Sequence, residues 1–225
     1  MPADFHAIFN QVGARYSLDD FETLNLGQHF CPSCRSSDRD RLYALFIWRH
    51  LAQYTPPPLR ILDIAPAPAL GKMLRNLPGV LYRSADLSSP LADERVDICD
   101  MRTYRDNSFN FIVCSHVLEH VEDDSSAIRE LYRVLEPGGV AILMVPILLS
   151  ATSTDEDPHE TRIEERWRRF GQNDHLRMYC KHDFVARLQQ GGFTVQALSE
   201  SHFGSGQFPR HGITPQSVLY IGRKN

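Results

Sequence analysis

Strand patterns alternate with helix patterns from Leu59 onward, and this alternation constrains the fold more than any other feature of the sequence. Short apolar segments are followed by segments with apolar residues at helical spacing, and Pro or Gly separates them. Parallel strands need crossover connections, and crossover helices cover both faces of the sheet. The sequence therefore predicts an α/β fold with a doubly wound, mostly parallel sheet.

The predicted elements can be placed along the whole core. Strands are predicted at 59–64, 80–86, 95–99, 109–114, 140–145, 193–198 and 217–221, and helices at 38–54, 70–77, 123–135 and 182–190. The Pro-Gly-Gly segment 137–139 is predicted to end the third of these helices. The last strand follows a long loop, so it could run antiparallel to the others.

The chain is predicted to hold one domain with an appendage, since 225 residues suffice for one compact domain. The prolines at 56–58 cannot continue a helix, so they are predicted to form a stiff hinge. The segment 1–57 is then an N-terminal helical extension and 58–225 is the core. Within the core, 150–179 is predicted to be a helical lid. The predicted lid helix has an apolar stripe formed by Ile163, Trp167 and Phe170. It also has two predicted i,i+4 ion pairs, Glu164–Arg168 and Glu165–Arg169.

Composition excludes several classes of protein. The 24 basic and 28 acidic residues give a net charge of −4, which argues against a surface for nucleic acids. The longest apolar run, 140–149, contains Pro146 and is about half of a membrane span. The N-terminus has no cationic start followed by an apolar segment, so no signal peptide is predicted. Five cysteines at low density favour reduced thiols in the cytoplasm.

Acidic and small residues occupy the predicted strand ends, where doubly wound sheets bind their ligands. The first strand runs into the loop Asp63-Ile64-Ala65-Pro66-Ala67-Pro68-Ala69. The second strand ends at Asp86, 23 residues after Asp63, where an acid can accept both hydroxyls of a ribose. Asp100 and Met101 follow the third strand. The fourth strand leads into the turn Ser115-His116-Val117-Leu118-Glu119-His120.

These turns resemble those of class I S-adenosylmethionine-dependent methyltransferases, above all the small-molecule enzymes with Val-Leu-Glu-His after strand four. The resemblance covers residues 60 to 150, with the blocks in the right order and at the right separations. Residues 107–121 match the block around strand four, and 135–139 match the turn before strand five.

The resemblance implies S-adenosylmethionine as the cofactor. Asp63 would hold its methionine amino group, Asp86 its ribose hydroxyls and Asp100 its adenine amine. The implied cofactor-binding residues are Asp63, Ile64, Ala65, Ala67, Asp86, Leu87, Asp100, Met101, Ser115 and His116. Leu87 would lie against the adenine, and Ser115 and His116 beneath the sulfonium.

The first loop departs from the family, which has alternating glycines where this chain has Ala65, Ala67 and Ala69. Alanine and proline make the loop stiffer and favour another path. A cofactor without pyrophosphate tolerates this change, but a dinucleotide does not. The loop thus argues against the alternative enzyme class, an NAD-dependent oxidoreductase. A binding module of the same fold that has lost catalysis is the second alternative.

Three imidazoles are candidates for catalysis. Methyl transfer depends mainly on in-line placement, and a base is needed only where the acceptor loses a proton. His116, His120 and His175 are the available bases, although His120 could instead make a structural hydrogen bond at the start of a helix. His116 and His120 have i,i+4 spacing, which can bind metal on a helix. No third ligand is evident, so no metal is predicted.

The acceptor is predicted to be a small molecule that contacts the lid. The string Phe170-Gly171-Gln172-Asn173-Asp174-His175-Leu176-Arg177-Met178-Tyr179 is similar to one in bacterial members of this group. Arg177 and Tyr179 are predicted to contact the acceptor, and Arg177 can pair with a carboxylate or phosphate. The alternative is a polar network that pins the lid to the core. The sequence leaves open the acceptor's identity, the methylated atom (O, N, S or C) and the oligomeric state.

The turn from Cys31 to Cys34 resembles the second half of a zinc ribbon that precedes this domain in some relatives. The first cysteine pair of that ribbon is missing, since residues 1–30 contain no cysteine. His29, Cys180 and His182 could complete a site only if folding brings them close. Metal binding, redox use and a metal-free turn all remain open.

Overall fold

Seven strands form one sheet within the part of the chain that the computed structural model describes, residues 5–53 and 58–225. The strands are β1 (Leu59–Ile64), β2 (Val80–Asp86), β3 (Glu94–Arg95), β4 (Phe109–Ser115), β5 (Leu135–Met144), β6 (Asp155–Glu156), β7 (Arg177–Met178), β8 (Thr194–Leu198) and β9 (Leu219–Arg223). The sheet has the order β3-β2-β1-β4-β5-β9-β8, and β6 pairs separately with β7. Strands β1 to β5 are parallel, and β9 is antiparallel to β5 and β8. The doubly wound, mostly parallel α/β fold is confirmed.

Helices flank this sheet. They are α1 (Phe5–Val12), α2 (Asp38–Gln53), α3 (Pro68–Arg75), α4 (Asp124–Val134), α5 (Ile163–Phe170), α6 (Lys181–Gln190), α7 (Glu200–Phe203) and α8 (Gln207–Arg210). In α4, the Asp123 side chain accepts a hydrogen bond from the Ser126 amide at 2.9 Å and caps the first turn. The predicted end of α2 at Tyr54 and most of the proline hinge fall on 54–57, which lie outside the described residues.

Strands β3 and β5 differ most from their predicted bounds, and β9 begins and ends two residues later than predicted. Strand β3 has only two residues, because the Asp97 side chain accepts from the Cys99 amide at 2.8 Å and turns the chain. Strand β5 begins at Leu135 rather than Val140, because Leu135 directly follows α4 and already pairs with Phe109 of β4. The Pro-Gly-Gly segment lies in β5, where the register of the pair shifts.

The N-terminal segment packs on the core through buried polar contacts. Glu22 is 1% exposed and accepts hydrogen bonds from Tyr220 at 2.7 Å and Lys181 at 2.9 Å. The hydroxyl of Tyr43 on α2 lies 2.7 Å from that of Ser115 at the end of β4. The segment before β1 therefore reaches the carboxyl end of the central strands.

The lid folds back on itself through ion pairs that differ from the predicted ones. Arg168 pairs with Glu165, three residues earlier, and Arg169 pairs with Asp155 on β6 and with Asp157. The short helix α5 lies beside the β6–β7 hairpin, so Arg169 reaches Asp155 and Asp157 there instead of Glu165 on its own helix. None of the helices in 5–53 and 58–225 has the length and apolar composition to cross a membrane.

Candidate active site

Two residues at the ends of neighbouring central strands have left-handed backbone conformations without being glycine. Ala65 follows β1 with a φ of 50°, and His116 follows β4 with a φ of 57°. Strands β1 and β4 are adjacent, and the strand order reverses between them: β1 is followed by β2 on one side, and β4 is followed by β5 on the other. Ligands of such sheets bind here, and backbone strain of this kind is concentrated at functional sites.

Ala65 adopts the left-handed conformation that glycine tolerates best, although its Cβ makes this conformation unfavourable by about 1–2 kcal/mol. Its amide donates to the carbonyl of Ala85 on β2 at 2.8 Å, which holds the loop against the sheet. At this position the chain therefore adopts a conformation that favours glycine, although the residue is alanine.

Asp63 is a buried acid at this strand end. Its carboxylate is 1% exposed and accepts a hydrogen bond from the Tyr82 hydroxyl at 2.9 Å. Burial raises the pKa of Asp63 to about 7, although the hydrogen bond from Tyr82 opposes the increase. A cation bound beside Asp63 would favour its ionised form.

A cavity of about 100 Å³, which we name the strand cavity, lies at the ends of β1 and β4. It is lined by six of the predicted cofactor-binding residues, namely Asp63, Ile64, Ala65, Ala67, Ser115 and His116. The N-terminal segment supplies further walls, among them Arg39 and Tyr43. No cofactor role for Arg39 or Tyr43 was predicted, because neither lies at a strand end.

The remaining predicted cofactor residues lie outside the strand cavity. Asp86 accepts from the amides of Ser88 and Ser89, both at 2.7 Å, and the neighbouring Leu87 is 57% exposed. Asp100 is exposed and pairs with Arg102, whereas Met101 is fully buried. Their roles toward an adenosine stay predictions.

His116 contacts a carboxylate that the sequence had left without a role. Its Nδ1 atom lies 3.1 Å from Oε1 of Glu119, which is 0% exposed. Burial and the nearby Arg39 cation lower the pKa of His116 to about 4, so the imidazole is neutral at pH 7. Its Nε2 atom is buried and has no hydrogen-bond partner among the described residues. A neutral imidazole with a free nitrogen can accept a proton.

His120 and His175 also face Glu119. The Nε2 atoms of both lie 4.0 Å from Oε1 of Glu119. The rings of the two histidines meet edge-on, with centroids 4.7 Å apart. The structure thus brings together the three predicted catalytic imidazoles around one buried acid. The signal available in the sequence was the position of Glu119 between His116 and His120.

A larger cavity of about 310 Å³ adjoins the strand cavity, and we name it the lid cavity. It is mainly apolar, with Leu18, Phe21, Leu24, Ile147 and Phe170 among its walls. Its polar lining includes Arg39, His116 and His175, of which the first two also line the strand cavity. Four of its lining residues come from the lid, and seven come from the N-terminal segment. Sequence reasoning missed that second contribution.

Arg177 and Tyr179 line neither cavity. Arg177 is 1% exposed and donates to the carbonyls of Leu118, Val121 and Glu122 at 2.7, 2.5 and 2.9 Å. Tyr179 is fully buried and donates to Asp124 at 2.7 Å. These bonds form a polar network that pins the lid to the segment after β4, as in the alternative to the predicted acceptor contact.

Among the residues that the structure describes, no other ligand completes a metal site at the cysteine turn. His29 instead contacts Asp38, with Nδ1 and Oδ1 2.8 Å apart. Cys180 and His182 lie in a separate group with Asp183. Within the described ranges, Cys31 and Cys34 belong to no group of three metal-ligating side chains.

Comparison with known proteins agrees with this geometry. The methyltransferase domain family matches residues 36–198, so the chain belongs to this family, whose cofactor is S-adenosylmethionine. The match sets aside the NAD-dependent alternative. A malonyl-[acyl-carrier protein] O-methyltransferase from Alcanivorax borkumensis is 27% identical over 194 residues, which cover 78% of this chain and 63% of that protein. The chain spans less than two thirds of the length of the first curated relatives it matches.

Solved structures share the fold at low identity. The [4+2]-cyclase SpnF has a TM-score of 0.56 and 18% identity, over 97% of this chain and 92% of that one. The CurJ carbon methyltransferase has a TM-score of 0.55 and 15% identity, over 81% of this chain and 53% of that one. At such identities the likeness concerns the fold alone.

Proposed function

We propose that the protein transfers the methyl group of S-adenosylmethionine to a small molecule bound in the lid cavity. The observation that carries this proposal is that the strand cavity and the lid cavity share two lining residues, His116 and Arg39. A donor in the first cavity and an acceptor in the second would meet beside a neutral imidazole.

The strand cavity fits the methionine part of the cofactor. Its buried Asp63 suits an ammonium group, because a cation there ionises a carboxyl whose pKa is raised. Arg39 makes no ion pair within 4.0 Å in the described part of the chain, so its guanidinium is free for a carboxylate. Acid and cation on one small cavity complement a zwitterionic amino acid. When bound, the cofactor supplies an electrophilic methyl group.

The residues around the acceptor would act by accepting a proton and excluding water. His116 Nε2 would take the proton from an acceptor hydroxyl or amine as that atom bonds to the methyl carbon. Glu119 would hold the opposite nitrogen of the ring and stabilise the imidazolium that forms. The apolar walls favour a reaction in which the positive charge of the sulfonium is lost.

The lid is proposed to enclose the acceptor, and Arg177 and Tyr179 are proposed not to contact it. Both side chains hold the lid to the turn that carries Glu119 and His120. A loosened lid would admit water and shift these groups, so both residues are positioning residues. The volume of the lid cavity suits a small molecule.

Location, partners and domain limits complete the proposal. All five cysteines have free thiols, which supports a reducing compartment such as the cytoplasm. The net charge of −4 supports a small-molecule acceptor over a nucleic acid. The segment 1–57 is proposed as an extension that completes the site of the core, 58–225, together with the lid at 150–179.

Two assays test the proposal. Calorimetric titration with S-adenosylhomocysteine and with NAD is expected to show binding of the first and none of the second. Methyl-labelled S-adenosylmethionine is then offered with a panel of phenols, carboxylic acids, amines and thiols. Transfer of label to one class identifies the methylated atom. Cofactor binding without transfer to any of them would favour the inactive binding module, and no cofactor binding would contradict the proposal itself.

A further inference from the structure

We propose that Glu119, His120 and His175 form a site for one divalent transition-metal ion, best suited to Zn²⁺, at the wall of the lid cavity. One carboxylate oxygen and two imidazole nitrogens from these residues lie within 4.8 Å of one another. Two histidines and one carboxylate form a common ligand set for catalytic zinc, and they leave a coordination position open.

In His120 and in His175, the ring nitrogen that faces away from Glu119 already contacts an oxygen atom. His175 Nδ1 lies 2.8 Å from the carbonyl oxygen of Phe170, and His120 Nδ1 lies 3.4 Å from the carboxylate of Asp174. Metal-binding histidines usually make this kind of contact, which fixes the ring and leaves the other nitrogen for the ion. In both residues that other nitrogen is Nε2, and it faces Glu119.

Three atoms of the proposed ligand residues have no hydrogen-bond partner among the described residues. Both carboxylate oxygens of Glu119 and the Nε2 atom of His175 are buried without a hydrogen-bond partner among the described residues. Glu119 is 0% exposed and His175 is 2% exposed. His116 Nδ1 approaches Oε1 at 3.1 Å without the alignment of a hydrogen bond, and Oε2 has no such neighbour. Buried polar atoms in proteins usually have a hydrogen-bond partner. A buried carboxylate and a buried imidazole nitrogen that both lack one therefore indicate that an ion binds between them.

The surroundings of Glu119 also favour a cation. Its carboxylate is completely buried, and its ionisable neighbours within 4.0 Å among the described residues are three histidines, with no lysine or arginine. A buried carboxylate without a strong cationic partner is unfavourable unless a counter-charge is bound.

The sequence could not reveal this set. It showed the i,i+4 spacing of His116 and His120 and no third ligand. In the folded protein, the group that forms around His120 contains Glu119 and His175 and does not contain His116. His175 belongs to the lid and lies 55 residues after His120 in the sequence. His116 stays beside the site, where its Nε2 atom remains free.

A metal here would have a chemical role that rests on the proposed methyl transfer. His175 lines the lid cavity, so the open coordination position would face a bound acceptor. An acceptor hydroxyl on the ion would lose its proton more easily. That proton goes to His116 Nε2, the oxygen bonds to the methyl carbon, and the sulfur keeps the electron pair of the broken S–CH₃ bond.

Metal binding can be tested without turnover. The full-length protein is stripped with EDTA and titrated with Zn²⁺ against a chromophoric chelator. We expect one ion per chain, and at least 100-fold weaker binding in His120→Ala and in His175→Ala. Asp174→Asn, which changes only the outer contact of His120, should weaken binding about 10-fold. Co²⁺ in place of Zn²⁺ should give the visible absorption of a low-symmetry site.

His182→Ala is the matched control, because it removes a ligand from the other described group, Cys180, His182 and Asp183. Its Zn²⁺ affinity should equal that of the wild type. His120 is 33% exposed, so its variant is expected to fold even where a change at Glu119 or His175 unfolds the chain. No stoichiometric Zn²⁺, or a site lost in His182→Ala and kept in His120→Ala, would overturn the proposal. S-adenosylhomocysteine binding by the stripped protein separately reports whether the methyltransferase assignment holds.

Discussion

The Nδ1 atom of His116 lies 3.1 Å from Oε1 of Glu119, and Glu119 is completely buried. This pair occupies the turn after β4, where His116 has a left-handed backbone and lines both cavities. With Nδ1 beside Glu119, the ring presents its opposite nitrogen where a donor and an acceptor would meet. The account of function depends on this arrangement.

Ala65→Gly is expected to stabilise the protein by about 1 kcal/mol, because glycine removes the steric strain of the left-handed conformation. Chemical denaturation measures the change in unfolding free energy. Ala44→Gly is the matched control, since Ala44 lies inside α2 and glycine there should destabilise by about 0.5–1 kcal/mol. Equal losses of stability in both variants would show that Ala65 is unstrained.

Protonation of Asp63 should be linked to cofactor binding. The pKa of Asp63 is raised from 3.8 to about 7 by burial. The folded state thus binds a proton that the unfolded state releases, and this contribution to stability is lost as pH rises from about 4 through 7. Binding of an ammonium group at pH 6 should ionise Asp63 and release a proton.

Calorimetry at pH 6 in two buffers of different ionisation enthalpy measures that proton release for S-adenosylhomocysteine. Asp63→Asn should bind more weakly and release no proton through this group. Identical proton release in wild type and Asp63→Asn would place the amino group elsewhere.

Asp86→Ala is expected to weaken S-adenosylhomocysteine binding by about 1.5–3 kcal/mol, the range for hydrogen bonds to a charged group. Asp86 also caps the amides of Ser88 and Ser89, so truncation loosens the turn. Asp86→Asn keeps an oxygen for those amides and separates the two effects. A dissociation constant that is unchanged in both variants would show that the ribose lies elsewhere.

Arg177→Lys should destabilise the fold by about 1.5–3 kcal/mol, because a lysine cannot reproduce the hydrogen bonds to three carbonyls. Tyr179→Phe should cost about 0.5–1.5 kcal/mol through the lost bond to Asp124. Thermal and chemical denaturation test both. If either variant kept full stability and instead raised KM for an identified acceptor, its side chain would be reading the substrate.

The features that sequence reasoning predicted well are local in the chain. Asp63, Ala65, Ser115 and His116 lie at the carboxyl ends of β1 and β4, and parallel strands bring these ends together at one edge of the sheet. The same logic identified Asp86 at the end of β2, although its contact with a ribose remains to be measured.

The features that it missed depend on contacts between distant segments. Glu119 and His175 meet only because the lid returns to the turn after β4. Arg39 reaches the cavities from a helix that carries no strand-end signal. Arginine is a residue type that often binds substrates, so the sequence favoured that role for Arg177. Only the folded structure shows that Arg177 is buried and bonded to three backbone carbonyls, which supports a structural role.

If methyl transfer takes place beside His116, as we propose, the variant His116→Asn should slow it. Asparagine tolerates a left-handed backbone, so the turn should be preserved while the base is removed. The rate of label transfer from methyl-labelled S-adenosylmethionine to the acceptor found in the panel is measured together with the dissociation constant of S-adenosylhomocysteine. For a hydroxyl or amine acceptor, the account predicts a 10²–10⁴-fold slower transfer with cofactor affinity nearly unchanged. Transfer at the wild-type rate in this variant would contradict it.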